Sequence, residues 1–221
     1  MLKKEPKIIM IHEMNDEILN KLSKSNREDI FTLDDGLYSN YKYLDELCTF
    51  PNKKIFFCST DIIRPEIIRP NDEFIQCSKA HKLLSISDNS GLANYMSWNE
   101  LKEIDQRDNC FIGVHGHKHI EIIGSSGIPK SLVYYGLEYF GTKKEIIEFL
   151  KEDTYQMYSK YFDNFKRLPN EFCFPYNKEN FIYQAIIKQQ YQLFKISVQK
   201  MDTNQTTLKI YGKGRINVNE L

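Results

Sequence analysis

Short apolar runs, each closed by a polar or turn-forming residue, recur along the chain with amphipathic stretches between them. The run from Lys7 to His12 predicts a buried strand, and Asp16 to Ser23 a short helix. A second strand is expected over 29–33, a helix from about Tyr38 to Cys48, and a third strand over 54–59. Ser97-Trp98-Asn99-Glu100 and Thr142-Lys143-Lys144-Glu145 both have the spacing at which a hydroxyl and a carboxylate satisfy the free amides of a helix start. The first opens a helix to about Gln106, followed by a strand from Cys110 to Val114. The second opens the longest amphipathic stretch, with Ile146, Leu150, Met157, Tyr158, Tyr161 and Phe165 near one stripe, and Pro169 stops it. Beyond it lie a strand over 172–174, a helix over 179–189, a strand over 192–198 and a last one over 215–218. Residues 60–96 have no clean period, contain Pro65 and Pro70, and run into Ser87-Asp88-Asn89-Ser90-Gly91, so they read as an insertion or a mixture of short elements.

Alternation of strands with helices predicts a parallel sheet, and the 221 residues suit one domain over 1–221. His12, the pair Asp34 and Asp35, His115, and Pro175 with Tyr176 each follow directly after an expected strand. In a parallel barrel those positions share one face, and an open doubly wound sheet would gather them similarly. Thirty basic and thirty acidic residues cancel, which gives no support for nucleic-acid binding. The five cysteines are scattered without a Cys-x-x-Cys pair, as reduced, mostly buried thiols would be. No segment approaches a membrane span, and the start of the chain is charged with only a brief apolar run, so a cytoplasmic protein is expected.

Asp34-Asp35-Gly36 reads either as a plain turn or as two carboxylates pointing in different directions at a strand end, with Gly36 allowing the sharp turn. His115 and His119 lie one helical turn apart if the chain coils after Val114, so both imidazoles could reach one ion, with His117 pointing away. Two imidazoles and a carboxylate match a catalytic zinc site, and the same set suits other divalent metals. Trp98 reads as packing, Tyr134-Tyr135 and Tyr139-Phe140 as groove lining or as core, and His81 receives no role.

The wider pattern resembles the polysaccharide deacetylases, the carbohydrate esterase family built on the NodB-homology domain. Thr32-Leu33-Asp34-Asp35-Gly36 is similar to the family's Thr-Phe-Asp-Asp-Gly motif, and Ile112 to His119 to its second motif, two histidines flanking three residues. Phe172-Cys173-Phe174-Pro175-Tyr176 resembles the third motif in its Phe-Ala-Tyr-Pro branch, and Met96 to Leu101 and Gly214 to Val218 also look like family segments. The resemblance implies a distorted, incomplete (β/α) barrel. It implies Asp35, His115 and His119 as ligands of a divalent metal ion, with zinc foremost. It further implies Asp34 as the general base that takes the proton of the attacking water, and a backbone amide at Tyr176 that holds the oxyanion.

Two departures stand out. Cys173 occupies the place of an arginine thought to orient the base, which leaves Asp34 without an evident cationic partner. No histidine follows His119, so the acid that protonates the leaving amine must come from elsewhere. Permuted members carry a Tyr-His pair on the first strand, and His12 sits there, although it reads almost equally well as a hydrogen-bonded strand-end histidine. The implied activity is metal-dependent removal of an N-acyl group, acetyl first, from a sugar. The expected substrate is a nucleotide-linked or lipid-linked sugar, or an oligosaccharide intermediate of glycan synthesis. A catalytically silent glycan-binding domain on the same barrel is the alternative.

Overall fold

The computed structural model describes residues 5–86, 91–123, 128–131, 137–198 and 207–221. In chain order the elements are β1 (Ile8–Ile11), α1 (Asp16–Leu22), β2 (Ile30–Leu33), α2 (Tyr38–Lys42), α3 (Leu44–Cys48) and β3 (Lys53–Cys58). Then come α4 (Cys77–Ile86), α5 (Trp98–Asp105), β4 (Cys110–Val114), β5 (Ile120–Ile123), β6 (Ile128–Ser131) and β7 (Leu137–Glu138). The chain closes with α6 (Lys143–Phe165), β8 (Glu171–Cys173), α7 (Phe181–Ser197), β9 (Lys209–Tyr211) and β10 (Ile216–Asn217). The chain divides into two compact units, one of Met1–Cys58, Ile63–Ile112 and Gly214–Leu221, the other of Ser59–Ile62 and Gly113–Lys213.

In the first unit β10, β1, β2 and β3 lie side by side and parallel, with Ile9 opposite Ile216, Ile11 opposite Leu33 and Leu33 opposite Phe56. The first half of β4 follows β3, tied by Lys54 N donating to Asn109 O at 2.8 Å. Burial runs through Lys54 to Cys58 without alternation, as expected of a strand covered on both faces. The buried Lys54 ammonium is satisfied by the carbonyls of Phe50 and Asn52 at 2.6 and 2.9 Å. Asn15 caps α1 and the Ser97–Glu100 box caps α5. The expected Tyr38–Cys48 helix is two short helices that meet at Tyr43, whose φ of −99° and ψ of 19° leave the helical region. Residues 60–96, expected without a clean assignment, contain α4 and a 3-10 turn at Gly91–Asn94, while 87–90 lie outside the described residues.

In the second unit the end of β4 pairs with β8, and β8 with β9, all parallel. Because β4 runs through both units, the seven parallel strands have the order β10-β1-β2-β3-β4-β8-β9, the incomplete (β/α) barrel expected. Strand β9 and the antiparallel sheet β5-β6-β7 have no counterpart among the expected elements. Tyr134 and Tyr135 lie outside the described residues. The Thr142–Glu145 box opens α6, and Lys166 in the left-handed region (φ 55°) ends it.

One expected element is wrong. Residues 192–198 are not a strand: 192–197 continue α7 and Val198 caps it. Buried Tyr183, Ile186, Ile187 and Tyr191 recur at helical spacing, and Phe194 extends the stripe onto Tyr158 and Phe162 of α6, with ring centroids 6.3 and 5.8 Å apart. Packing against α6 decides what a short apolar run leaves ambiguous. Among the described residues no helix is long and apolar enough to cross a membrane.

Candidate active site

In the first unit the end of β2 carries the carboxylates. Asp34 N donates to Ile11 O at 2.8 Å and so continues the ladder, after which Asp35 (φ 69°) and Gly36 (φ 75°) reverse the chain. The positive φ favours glycine at 36, and a Cβ there would also sit tightly, 3.3 Å from Cys58 Cβ. Left-handed backbone is unusual for a residue with a Cβ, and Asp35, His119, Tyr176 and Asn177 all adopt it.

Asp34 is 1% exposed, and Arg215 Nη1 donates to its two oxygens at 2.8 and 2.7 Å. The same nitrogen donates to Thr32 Oγ1 at 3.2 Å, and the Thr32 hydroxyl donates to Ile9 O at 3.1 Å. This corrects the expectation that Asp34 lacks a cation. The cation is Arg215, brought near Asp34 by the β10–β1 pairing. His12 is half-buried directly after β1, and its carbonyl accepts from Asn40 Nδ2 at 2.9 Å. Since Ile11 and Leu33 are partners, His12 and Asp34 occupy corresponding positions on adjacent strands.

Asp35 meets two residues to which the sequence pattern assigns no role. The Cys77 thiol donates to Asp35 Oδ2 at 2.9 Å, and His81 Nε2 lies 3.5 Å from the same oxygen. Burial, and then the Asp35 carboxylate, push the Cys77 thiol up. The available signal is a Cys-x-x-x-His spacing, which becomes meaningful only once residues 77–86 are known to be helical.

In the second unit the histidines follow β4. The chain does not coil after Val114; left-handed turns at Gly116 (φ 85°) and His119 (φ 53°) bring the two rings together instead. His115 and His119 are each 1% exposed, with centroids 4.8 Å apart at 77°. His115 Nδ1 donates to Cys173 O at 2.8 Å. Ser59 Oγ donates its single proton to His115 O at 3.0 Å, so its 3.0 Å contact with His119 Nδ1 has the imidazole donating. Both rings therefore donate through Nδ1, which assigns Nε2 as the atom that would face a metal. This is how a hydrogen-bonded outer layer prepares metal-ligating histidines.

His117 engages Thr60 Oγ1 through Nδ1 at 2.9 Å and approaches Asp61 at 3.5 Å; burial pushes it down to about 4. Asp153, 3% exposed, holds the loop by accepting from the amides of His117 and Lys118 at 3.3 and 3.0 Å and from the Tyr183 hydroxyl at 3.2 Å. Burial raises its carboxyl to about 6. Tyr176 sits at φ 57° in a 3-10 turn, Pro175–Asn177, with its ring edge-on to His119 at 4.8 Å. Tyr139 stacks on Phe149 at 4.4 Å, whereas Phe140 is exposed and Trp98 half-buried.

No family model and no curated protein matches the chain. Solved structures do. The BpsB deacetylase domain from Bordetella bronchiseptica is similar at TM-score 0.58 and 14% identity over 96% of each chain. IcaB from Ammonifex degensii is similar at TM-score 0.54 and 15% identity, over 83% of this chain and 79% of that one. A de-N-acetylase from Aggregatibacter actinomycetemcomitans is similar at TM-score 0.53 and 15% identity, over 81% of this chain and 68% of that one. The chain has the fold of these proteins.

Proposed function

We propose that the chain is a metal-dependent carbohydrate deacylase that removes an N-acetyl group from a glycan. The observation that carries this reading is the buried His115–His119 pair, each ring donating through Nδ1 to an oxygen, which fixes both rings and assigns Nε2 to a metal. The likeness in fold to a deacetylase domain and a de-N-acetylase supports it.

Asp35 would complete the ligand set with His115 and His119. One carboxylate and two neutral imidazoles suit Zn2+ and leave room for substrate. Such a cation would polarise the amide carbonyl and lower the pKa of a water. Asp34 would take the proton of that water: Arg215 fixes both of its oxygens, and a carboxylate oxygen gripped on one side retains a second acceptor position. The Tyr176 amide would donate to the developing oxyanion, and His12 would protonate the leaving amine. The silent glycan-binding alternative draws on the arginine lost at Cys173 and on the unusual acid; the Arg215–Asp34 pair weakens the first ground and leaves the second to the turnover assay.

The test is metal analysis of the purified protein together with acetate release from N-acetylated oligosaccharides and from nucleotide- and lipid-linked N-acetyl sugars. A bound divalent ion and turnover on one of these classes are expected. Asp34→Asn should abolish turnover and spare the metal. A wild-type protein that binds no metal and releases no acetate would overturn the reading; an active Asp34→Asn would remove Asp34 as base.

A further inference from the structure

Helix α4 presents Cys77 and His81 one turn apart, a spacing that stacks two side chains on the same helical face. Both turn toward Asp35, and the three ligand atoms lie within 4.8 Å of one another. We propose that Asp35, Cys77 and His81 form a second site for a divalent, borderline-soft cation of the Zn2+ type, with a sulfur in its donor set. The residues all belong to the first unit, so the site stands whether or not the deacylase reading holds.

The geometry can be compared with a coordination shell. At ordinary zinc bond lengths and tetrahedral angles, ligand atoms are separated by about 3.6 Å for sulfur to nitrogen, about 3.3 Å for nitrogen to oxygen and about 3.5 Å for sulfur to oxygen. The separations here are 3.6 Å from Cys77 Sγ to His81 Nε2, 3.5 Å from His81 Nε2 to Asp35 Oδ2, and 2.9 Å from Cys77 Sγ to Asp35 Oδ2. Two edges are already those of a metal site. The third, a thiol-to-carboxylate hydrogen bond, is shorter than the corresponding edge of a metal site. The His81 ring is held parallel to Tyr95, 2° apart and 6.4 Å between centroids, which aims Nε2 at the cluster. Asp35 is 2% and His81 9% exposed, while Cys77 is half-buried, so the donors sit beneath the surface but within reach of solvent ions. A thiolate beside an imidazole and a carboxylate selects zinc or cobalt over magnesium or calcium.

The experiment reads sulfur ligation directly. Metal-stripped full-length protein is titrated with Co2+, and the near-ultraviolet thiolate-to-cobalt charge-transfer band is recorded together with stoichiometry. The band is expected in the wild type, is expected to survive in His115→Ala/His119→Ala, and is expected to vanish in Cys77→Ser with loss of one equivalent of cobalt. A wild type without the band, or a Cys77→Ser protein that keeps it, overturns the proposal. Should Cys77→Ser fail to fold, Zn2+ protection of wild-type Cys77 from alkylation, mapped by peptide mass, tests the same ligand: undiminished labelling sinks the site. Failure of the deacylase reading would show instead as absent turnover with the band intact.

Discussion

Arg215→Met is the most informative single change, because it separates two accounts of Asp34. Arg215 is 8% and Asp34 1% exposed, and one guanidinium nitrogen makes contacts of 2.8 and 2.7 Å with the carboxylate. Breaking a buried ion pair by removing one partner costs about 3–5 kcal/mol, mostly the penalty of a charge left without compensation. Whole domains are stable by only about 5–15 kcal/mol, so the variant should be measured in the cold and at modest urea. The single tryptophan, Trp98, is half-buried in the same unit and offers a fluorescence probe. Replacing both partners with apolar groups leaves no stranded charge and is often close to neutral. Asp34→Leu/Arg215→Met is therefore expected to lose no more than the worse single variant, where independent losses would sum to about 6–10 kcal/mol. Because Nη1 alone makes both contacts, Arg215→Lys should recover part of the loss. Additive losses in the double variant, with an unchanged urea slope, would refute the claim that Arg215 is the cation that Asp34 depends on.

The remaining expectations are shorter. His12→Ala should lower turnover by about 10²–10⁴-fold with metal content unchanged; an unaltered rate removes His12 from the reaction. Gly36→Ala, at φ 75° and facing Cys58 Cβ at 3.3 Å, should lose about 1–3 kcal/mol in urea unfolding. Asp153 is raised from 3.8 to about 6, so the folded state binds the extra proton in that window and stability falls as pH rises through it; relative to Asp153→Asn the wild type should lose about 3 kcal/mol. His117 is lowered from 6.5 to about 4, so its contribution is present above pH 6.5 and is lost as pH falls toward 4, the opposite slope. Relative to the wild type, the two single variants should therefore change the pH slope of the unfolding free energy in opposite directions across that range.

What could be read from the chain and what could not divide along a physical line. Strand β4 coincides with its apolar run to the residue, and both capping boxes form, because those signals are local: a buried apolar run and a hydroxyl three residues before a carboxylate. The site's chemical groups are legible for the same reason, since they close apolar runs. Helix α4 escapes because its surface is mostly wet, with Ser78, Lys79 and Lys82 exposed and Ala80 and His81 buried, so no apolar stripe announces it. With α4 unseen, Cys77 and His81 cannot be placed on one face. The turn at His119 escapes because left-handed backbone at a residue with a Cβ is imposed by its surroundings. Arg215 lies 181 residues from Asp34, and no periodicity reports a contact made by pairing the last strand with the first. The absence of a family arginine at Cys173 is accordingly weak ground for inferring a silent domain. What a buried carboxylate needs is a cation within reach, and here a residue directly before β10, one strand beyond β1, delivers it.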